Sequence, residues 1–304
     1  MKKKFLYFFQ IFFTILILIP NQSLADSNTI TSDSSTQQDI DGDGEFLTVK
    51  DNSTLATGAT TKAANVTADS VDVTVESGST ISANTVAVFG DNTSDLTVTN
   101  SGTITASGTT AIDVKGTTDA TITNSSGGTI SSNRNTIRIS KTGSNNTTGM
   151  TITNSGTITA TIGSAIFASD GNSTATITNK IGGEITNSDA SNATIRAGAS
   201  STIVNSGTIK NDVDNDAIKL YGNNATITLK DGGIVVGKID GLLRTGSKLK
   251  FNHGVGQGYF YETEGDFTLE DLDGNQVVKG SAGSVGQGGN ENIDELLGYK
   301  SLNI

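Results

Sequence analysis

One phrase, Asn-Ser-Gly-Thr-Ile with its variants, returns along the middle of the chain and restricts the fold more than any other feature. It reads Thr97-Val98-Thr99-Asn100-Ser101-Gly102-Thr103-Ile104-Thr105-Ala106, then Thr121-Ile122-Thr123-Asn124 leading to Gly128-Thr129-Ile130-Ser131. It returns as Thr151-Ile152-Thr153-Asn154-Ser155-Gly156-Thr157-Ile158-Thr159-Ala160, as Thr176-Ile177-Thr178-Asn179 with Gly183-Glu184-Ile185-Thr186, and as Ile203-Val204-Asn205-Ser206-Gly207-Thr208-Ile209. Looser copies stand at Val73-Thr74-Val75 with Ser79-Thr80-Ile81 and at Thr226-Ile227-Thr228-Leu229 with Gly233-Ile234-Val235, and Phe46-Leu47-Thr48-Val49 with Thr54-Leu55 opens the first coil. A spacing of about 25 residues is that of a solenoid, in which one unit cannot bury its apolar face alone and must stack on its neighbours.

Each repeat carries a third short apolar piece: Val86-Ala87-Val88, Ala111-Ile112-Asp113-Val114, Ile137-Arg138-Ile139, Ala165-Ile166-Phe167, Ala193-Thr194-Ile195 and Ala217-Ile218-Lys219-Leu220. Within the pieces Val or Ile alternates with Thr or Ser, the period of a half-buried strand. Gly and Asn stand between them, where the chain turns and a positive φ is often required. The reading is an all-β, right-handed parallel β-helix of about eight coils with three short strands per coil, a rod roughly 40 Å long at ~4.8 Å per coil. A β-sandwich would need hairpins and a less repetitive core, and a leucine-rich horseshoe would need leucines that are missing. Asn100, Asn124, Asn154, Asn179 and Asn205 hold one repeat position, so their side chains are expected to stack as a hydrogen-bonded structural ladder at a turn.

The ends differ from the middle. Lys2 to Lys4, the apolar stretch Phe5 to Ile19 and Ser23-Leu24-Ala25 have the layout of a signal peptide over residues 1–25, with Asp26 as the mature start and no transmembrane helix left after cleavage. Residues 26–45 read as a flexible acidic lead, 46–240 as the β-helix, 241–279 as a β cap rich in aromatics (Phe251, Tyr259-Phe260-Tyr261, Phe267), and 280–304 as a Gly-rich flexible tail. An exported chain with no cysteine has dispensed with the disulfides that an oxidising compartment permits. A net charge of −11 without a basic stripe argues against a nucleic-acid partner.

The search for chemistry finds little. Asp39, Asp41 and Asp43 alternate as in a calcium loop, but Lys50 stands at the twelfth position, where such a loop places a bidentate Glu; calcium is the only cofactor the chain suggests, and the acidic stretch 211–216 reads as a solvated or calcium-decorated turn. His253 is the single histidine and lacks a Gly-x-Ser-x-Gly elbow, so it reads as a cap residue. Asp212, Asp214 and Asp216 fall on one side if their segment is extended, and two such acids at a suitable separation could protonate a glycosidic oxygen and activate a water. No P-loop, dinucleotide fingerprint or zinc spacing appears, and no residue is assigned a catalytic role.

The recurring Asn-Ser-Gly-Thr-Ile phrase, the leader and the distinct region after the repeats resemble the passenger region of a bacterial autotransporter of the type V secretion class. That resemblance implies a β-helical passenger at the cell surface, an autochaperone-like role for the segment 241–279, and passage through an outer-membrane translocation machinery or a separate barrel. The stretch after Asn292 is too short for a barrel of the family's kind, which needs at least eight strands of ~10 residues, so the resemblance leaves open a truncated or split product and a free secreted relative. The expected function is a non-enzymatic surface-displayed or secreted rod, structural or adhesive, with a cell-surface or glycan ligand. The alternative is a secreted polysaccharide-degrading enzyme that uses Asp212, Asp214 and Asp216.

Overall fold

The computed structural model of the chain describes residues 28–58, 61–168, 171–213, 216–242, 244–252, 261–265, 267–270 and 291–292. All of its regular elements are strands, gathered in three sheets of eleven, eight and eleven strands in which each strand pairs with its counterpart one coil away. The chain therefore climbs as a β-solenoid of about eight complete three-stranded turns, extended at both ends by coils that lack a strand in the second sheet. Sheet 1 holds the Thr-Ile-Thr-Asn strands, such as Thr97–Asn100 and Thr121–Asn124; sheet 2 holds those after the Asn turn, such as Thr103–Ala106; sheet 3 holds the third apolar pieces, such as Thr110–Lys115.

The pairing is parallel and in register: Ile122 lies opposite Val98 on one side and Ile152 on the other, and Ile130 lies between Ile104 and Ile158. The alternation expected from the sequence is thus converted into straight interior columns. Ile152, Ile158 and Ile166, one from each sheet of the same coil, are fully shielded from solvent. A fully buried side chain of this size contributes roughly 1.5–3 kcal/mol relative to exposure, and every coil adds three or more such groups. At ~4.8 Å per strand, the eleven-stranded sheets make a rod about 50 Å long.

The coil begins earlier than the repeat phrase suggests. Asn28–Ile30 pairs with Leu47–Val49 in sheet 1, and Gln38–Ile40 pairs with Ala64–Val66 in sheet 3. Residues 28–45 of the expected flexible lead 26–45 therefore supply the solenoid's first strands. Its polar composition hid this because only Ile30 and Ile40 point inward there, too few to display a pattern.

Glycine works differently from the expectation at the recurring turn. Gly102, Gly156 and Gly207 are absent from the positive-φ residues, which include instead Gly127, Gly182 and Gly232, the extra residue of the longer turns. The glycine of the phrase is required by proximity: a Cβ on Gly156 would run into the carbonyl oxygens of Gly128 and Ser125 in the coil before it.

At the C-terminal end sheet 2 stops with Ile234–Val236, while sheets 1 and 3 continue through Lys248–Asn252, Thr268–Glu270 and Glu262–Glu264. Phe251 and Tyr261 close the core with ring centroids 6.3 Å apart, and the Tyr261 hydroxyl donates to the Gly233 carbonyl at 3.0 Å. Glu291–Asn292 then pairs antiparallel with Glu262–Thr263, which ends the run of parallel strand edges. Tyr259, Phe260, His253 and the leader lie outside the described residues.

Candidate functional site

Five asparagines form a single hydrogen-bonded column inside the turn between sheets 1 and 2. The Nδ2 of Asn100, Asn124, Asn154 and Asn179 donates in each case to the Oδ1 of the next member, every time at 2.9 Å, ending on Asn205. Each amide also donates to backbone carbonyls, as from Asn154 to Gly156 at 3.1 Å. All five are shielded from solvent, so the column is internal scaffold and presents nothing to a ligand. Its neighbours in register are Val75 before Asn100 and Leu229 after Asn205, and the Asn100 Oδ1 at the first end is buried without a hydrogen-bond partner.

The outer faces of sheets 1 and 2 are largely threonine. On sheet 1, Thr97, Thr121, Thr151, Thr176, Thr202 and Thr226 form one column of uncharged hydroxyls. On sheet 2 the hydroxyls partly satisfy one another, as Ser131 with Thr105 and Thr186 with Thr159, each at 3.0 Å.

Sheet 3 is chemically different. Its central outer column runs Asp39, Asn65, Phe89, Asp113, Arg138, Phe167, Arg196, Lys219, Asp240 and Glu264, one residue per coil. Lys62 lies 3.4 Å over the Phe89 ring and Lys115 lies 5.1 Å from it, and burial lowers the Lys62 pKa from its ordinary value. Arg138 grips the buried Asp113 with two hydrogen bonds, the Nε contact at 2.8 Å, and the first of its consequences is a guanidinium held above its ordinary pKa by that bond. Further along, Lys219 bridges Asp216 at 2.7 Å and Asp240 at 2.8 Å, while Lys238 bridges Asp216 and Glu264. Burial opposes the Lys219 charge, but the two carboxylates outweigh it and hold the amine above its ordinary pKa. Between these paired segments stands Arg196, its guanidinium 4.5 Å from the Phe167 ring centroid and 3.8 Å from that of Tyr221.

The acids picked out in the sequence do not assemble into a paired-carboxylate centre. Asp212 forms an ion pair with Lys210 at 2.7 Å beside sheet 2, Asp216 is buried in sheet 3 under its two lysines, and Asp214 lies outside the described residues. The segment turns between the two sheets, so the alternation that would align the acids on an extended strand does not apply. Asp39 and Asp43 also part company. Asp39 accepts from Gln37 at 2.6 Å and Asn65 at 2.8 Å, whereas Asp43 accepts the Asp69 amide at 3.0 Å and Asp69 in turn accepts the Ser94 amide at 2.7 Å. The Asp43 and Asp69 carboxylates are staples between coils, and among the described residues no group of three or more His, Cys, Asp or Glu side chains converges to hold a metal.

Sequence reasoning passed over the sheet 3 column. The signal lay one position inside each third apolar piece, where Asp113, Arg138, Phe167, Arg196 and Lys219 interrupt the apolar residues, but no shared residue type marks it. No family model, curated protein or solved structure matches the chain. Among the described residues no helix is long and apolar enough to cross a membrane.

Proposed function

We propose that the chain is a non-enzymatic, exported β-solenoid rod of the autotransporter-passenger kind, and that it adheres through its third sheet to a glycan or another cell-surface ligand. The observation that carries this reading is the continuous outer column of aromatic, cationic and acidic side chains from Asp39 to Glu264, set on a rigid ladder whose other two faces are mainly hydroxyl-bearing. Side chains fixed at one strand spacing, ~4.8 Å, supply many weak contacts in a row, and weak contacts in a row gain strength together. The engagement of Asp212 and Asp216 by lysines supports binding over hydrolysis, because a glycosidase needs one carboxylate free to give a proton and another free to act as base or nucleophile.

Two measurements test the reading. Fractionated cells blotted with an antibody to the repeats should place the protein in the outer membrane or the medium; a purely cytoplasmic product would end the surface reading. Purified chain incubated with cell-surface polysaccharides should retain them without releasing reducing ends. Release of reducing ends that disappears when Asp212 and Asp216 are both changed to Asn would instead establish the enzyme.

A further inference from the structure

We infer that Arg196, clamped between Phe167 and Tyr221, is a recognition site for a single carboxylate borne by a glycan. This rests on the adhesive reading of sheet 3 and names the chemistry of one position on it.

An arginine side chain keeps its charge at all ordinary pH values, so removing it from water is costly unless an anion meets it. The other cations at the centre of the strip are met: Arg138 by Asp113, Lys219 by Asp216 and Asp240, Lys238 by Asp216 and Glu264. Among the described residues the Arg196 side chain meets neither a carboxylate nor a hydrogen-bond acceptor, and its Nε is buried without a partner. Burial lowers its pKa from the ordinary value, the sign of a charge held in an unfavourable place. The two ring contacts offset part of that cost. Tyr221 is itself held, because its amide donates to the Ala197 carbonyl at 2.7 Å and Ala199 donates to Gly171 at 2.8 Å across the same turn.

With a ring of the preceding coil and a ring of the following coil lying against the guanidinium carbon and Nε enclosed, the two terminal nitrogens are what remains for a partner. Their in-plane N–H groups match the two oxygens of a carboxylate, a planar anion that a fork of donors meets in two parallel bonds. The charge of the whole chain restricts the class further. At −11 it repels densely charged polyanions, so the fitting ligand is a mostly neutral glycan with isolated acidic sugars.

The test is a calorimetric titration of the full chain with three probes: methyl glucuronide, methyl glucoside and a heavily sulfated heparin oligosaccharide. The glucuronide should bind about tenfold or more tightly than the glucoside, and Arg196→Gln should remove the difference. Arg196→Lys keeps the charge without the fork and should recover little of it. Circular dichroism checks that each variant retains its strands. Equal binding of glucuronide and glucoside overturns the inference, as does tighter binding of heparin, which would make the site a general anion patch. Glucuronide affinity unchanged in Arg196→Gln overturns it too, while leaving adhesion through the rest of the strip intact. Failure of every saccharide to bind the chain overturns both the inference and the glycan-binding reading beneath it.

Discussion

Asn124 donates from Nδ2 to Oδ1 of Asn154 at 2.9 Å, a contact between residues thirty apart in sequence and one coil apart in space. Removing one member from the middle of such a column strands two others, because its predecessor loses an acceptor and its successor loses a donor. Asn154→Ala should therefore destabilise the chain by more than a single hydrogen bond, about 2–6 kcal/mol if each orphaned buried group costs ~1–3 kcal/mol. Asn205→Ala, at the end of the column, strands only Asn179 on the ladder side and should cost less. Chemical denaturation of the two variants measures the difference, and equal losses would refute a cooperative column.

The first end of the column permits a test by extension. Val75 lies opposite Asn100, whose Oδ1 has no partner, and Val49 lies opposite Val75. Val75→Asn should place a donor against that oxygen, whereas Val49→Asn buries an amide among apolar neighbours. Both lose a buried valine, yet Val75→Asn should be the more stable by roughly 1 kcal/mol, the net value of one internal hydrogen bond. The reverse order of denaturation midpoints would contradict the ladder geometry.

Two glycines separate proximity from dihedral strain. Gly182 has φ +80° with open space where a Cβ would stand, so Gly182→Ala should cost about 1–2 kcal/mol, the ordinary price of a left-handed residue. Gly156 has no such dihedral but would drive its Cβ into two carbonyl oxygens of the preceding coil, and only separation of the coils relieves that clash. Gly156→Ala should be the worse variant, with faster amide exchange at Thr129 and Thr157, the residues that follow this turn in two successive coils.

Asp113 is almost entirely buried and is held by Arg138, with Lys115 Nζ more distant at 4.0 Å. Taking away Arg138 leaves a buried carboxylate without its hydrogen-bonded partner, a loss on the order of 3 kcal/mol. Arg138→Leu should be strongly destabilising and Asp113→Leu with Arg138→Leu much less so. A thermal-melt series in which the double variant is no better than the single would contradict this.

Acid should loosen one turn before the rest of the rod. Burial works against the charge of Asp189, but the Ser191 amide, the Asn192 side chain and the Gly163 amide donate to it and bring its carboxyl below the usual range. The stabilisation is complete above the ordinary carboxylate value of ~3.9 and fades as pH falls through the lower folded value. Protection of the Gly163 and Ser191 amides, taken relative to the intrinsic exchange rate at each pH, should hold from pH 6 down to about 4 and fall only below ~3.9. Asp189→Asn should remove the pH dependence.

The interior was legible because it repeats. The inward Ile and Val of Thr-Ile-Thr-Asn and Gly-Thr-Ile obey one rule in every coil, and the stacked asparagines followed from the same alignment. The outer column of sheet 3 obeys no rule of residue type, so Phe89, Asp113, Arg138, Phe167 and Arg196 looked like interruptions of an apolar piece until the pairing aligned them. The coil before Phe46 shows no apolar pattern beyond Ile30 and Ile40, and Asp39 and Asp43, which alternate like ligands for an ion, each serve a neighbouring coil. Asp212 and Asp216 would align only on an extended segment; a turn divides them between two sheets, and spacing in sequence carries no information across a turn.

Successive members of the asparagine column stand 24, 30, 25 and 26 residues apart, yet every link has the same length. Coil circumference is therefore free to vary while the axial index is fixed, and the longest circuit places its surplus in the loop 141–149 that joins sheet 3 to sheet 1. A sequence built this way tolerates insertions and deletions at its corners and resists slippage along its axis, because a shift of one coil would set an amide against Val75 or Leu229. The column acts as the key in a keyed shaft: copying a whole coil lengthens the rod without disturbing what each existing coil presents outward.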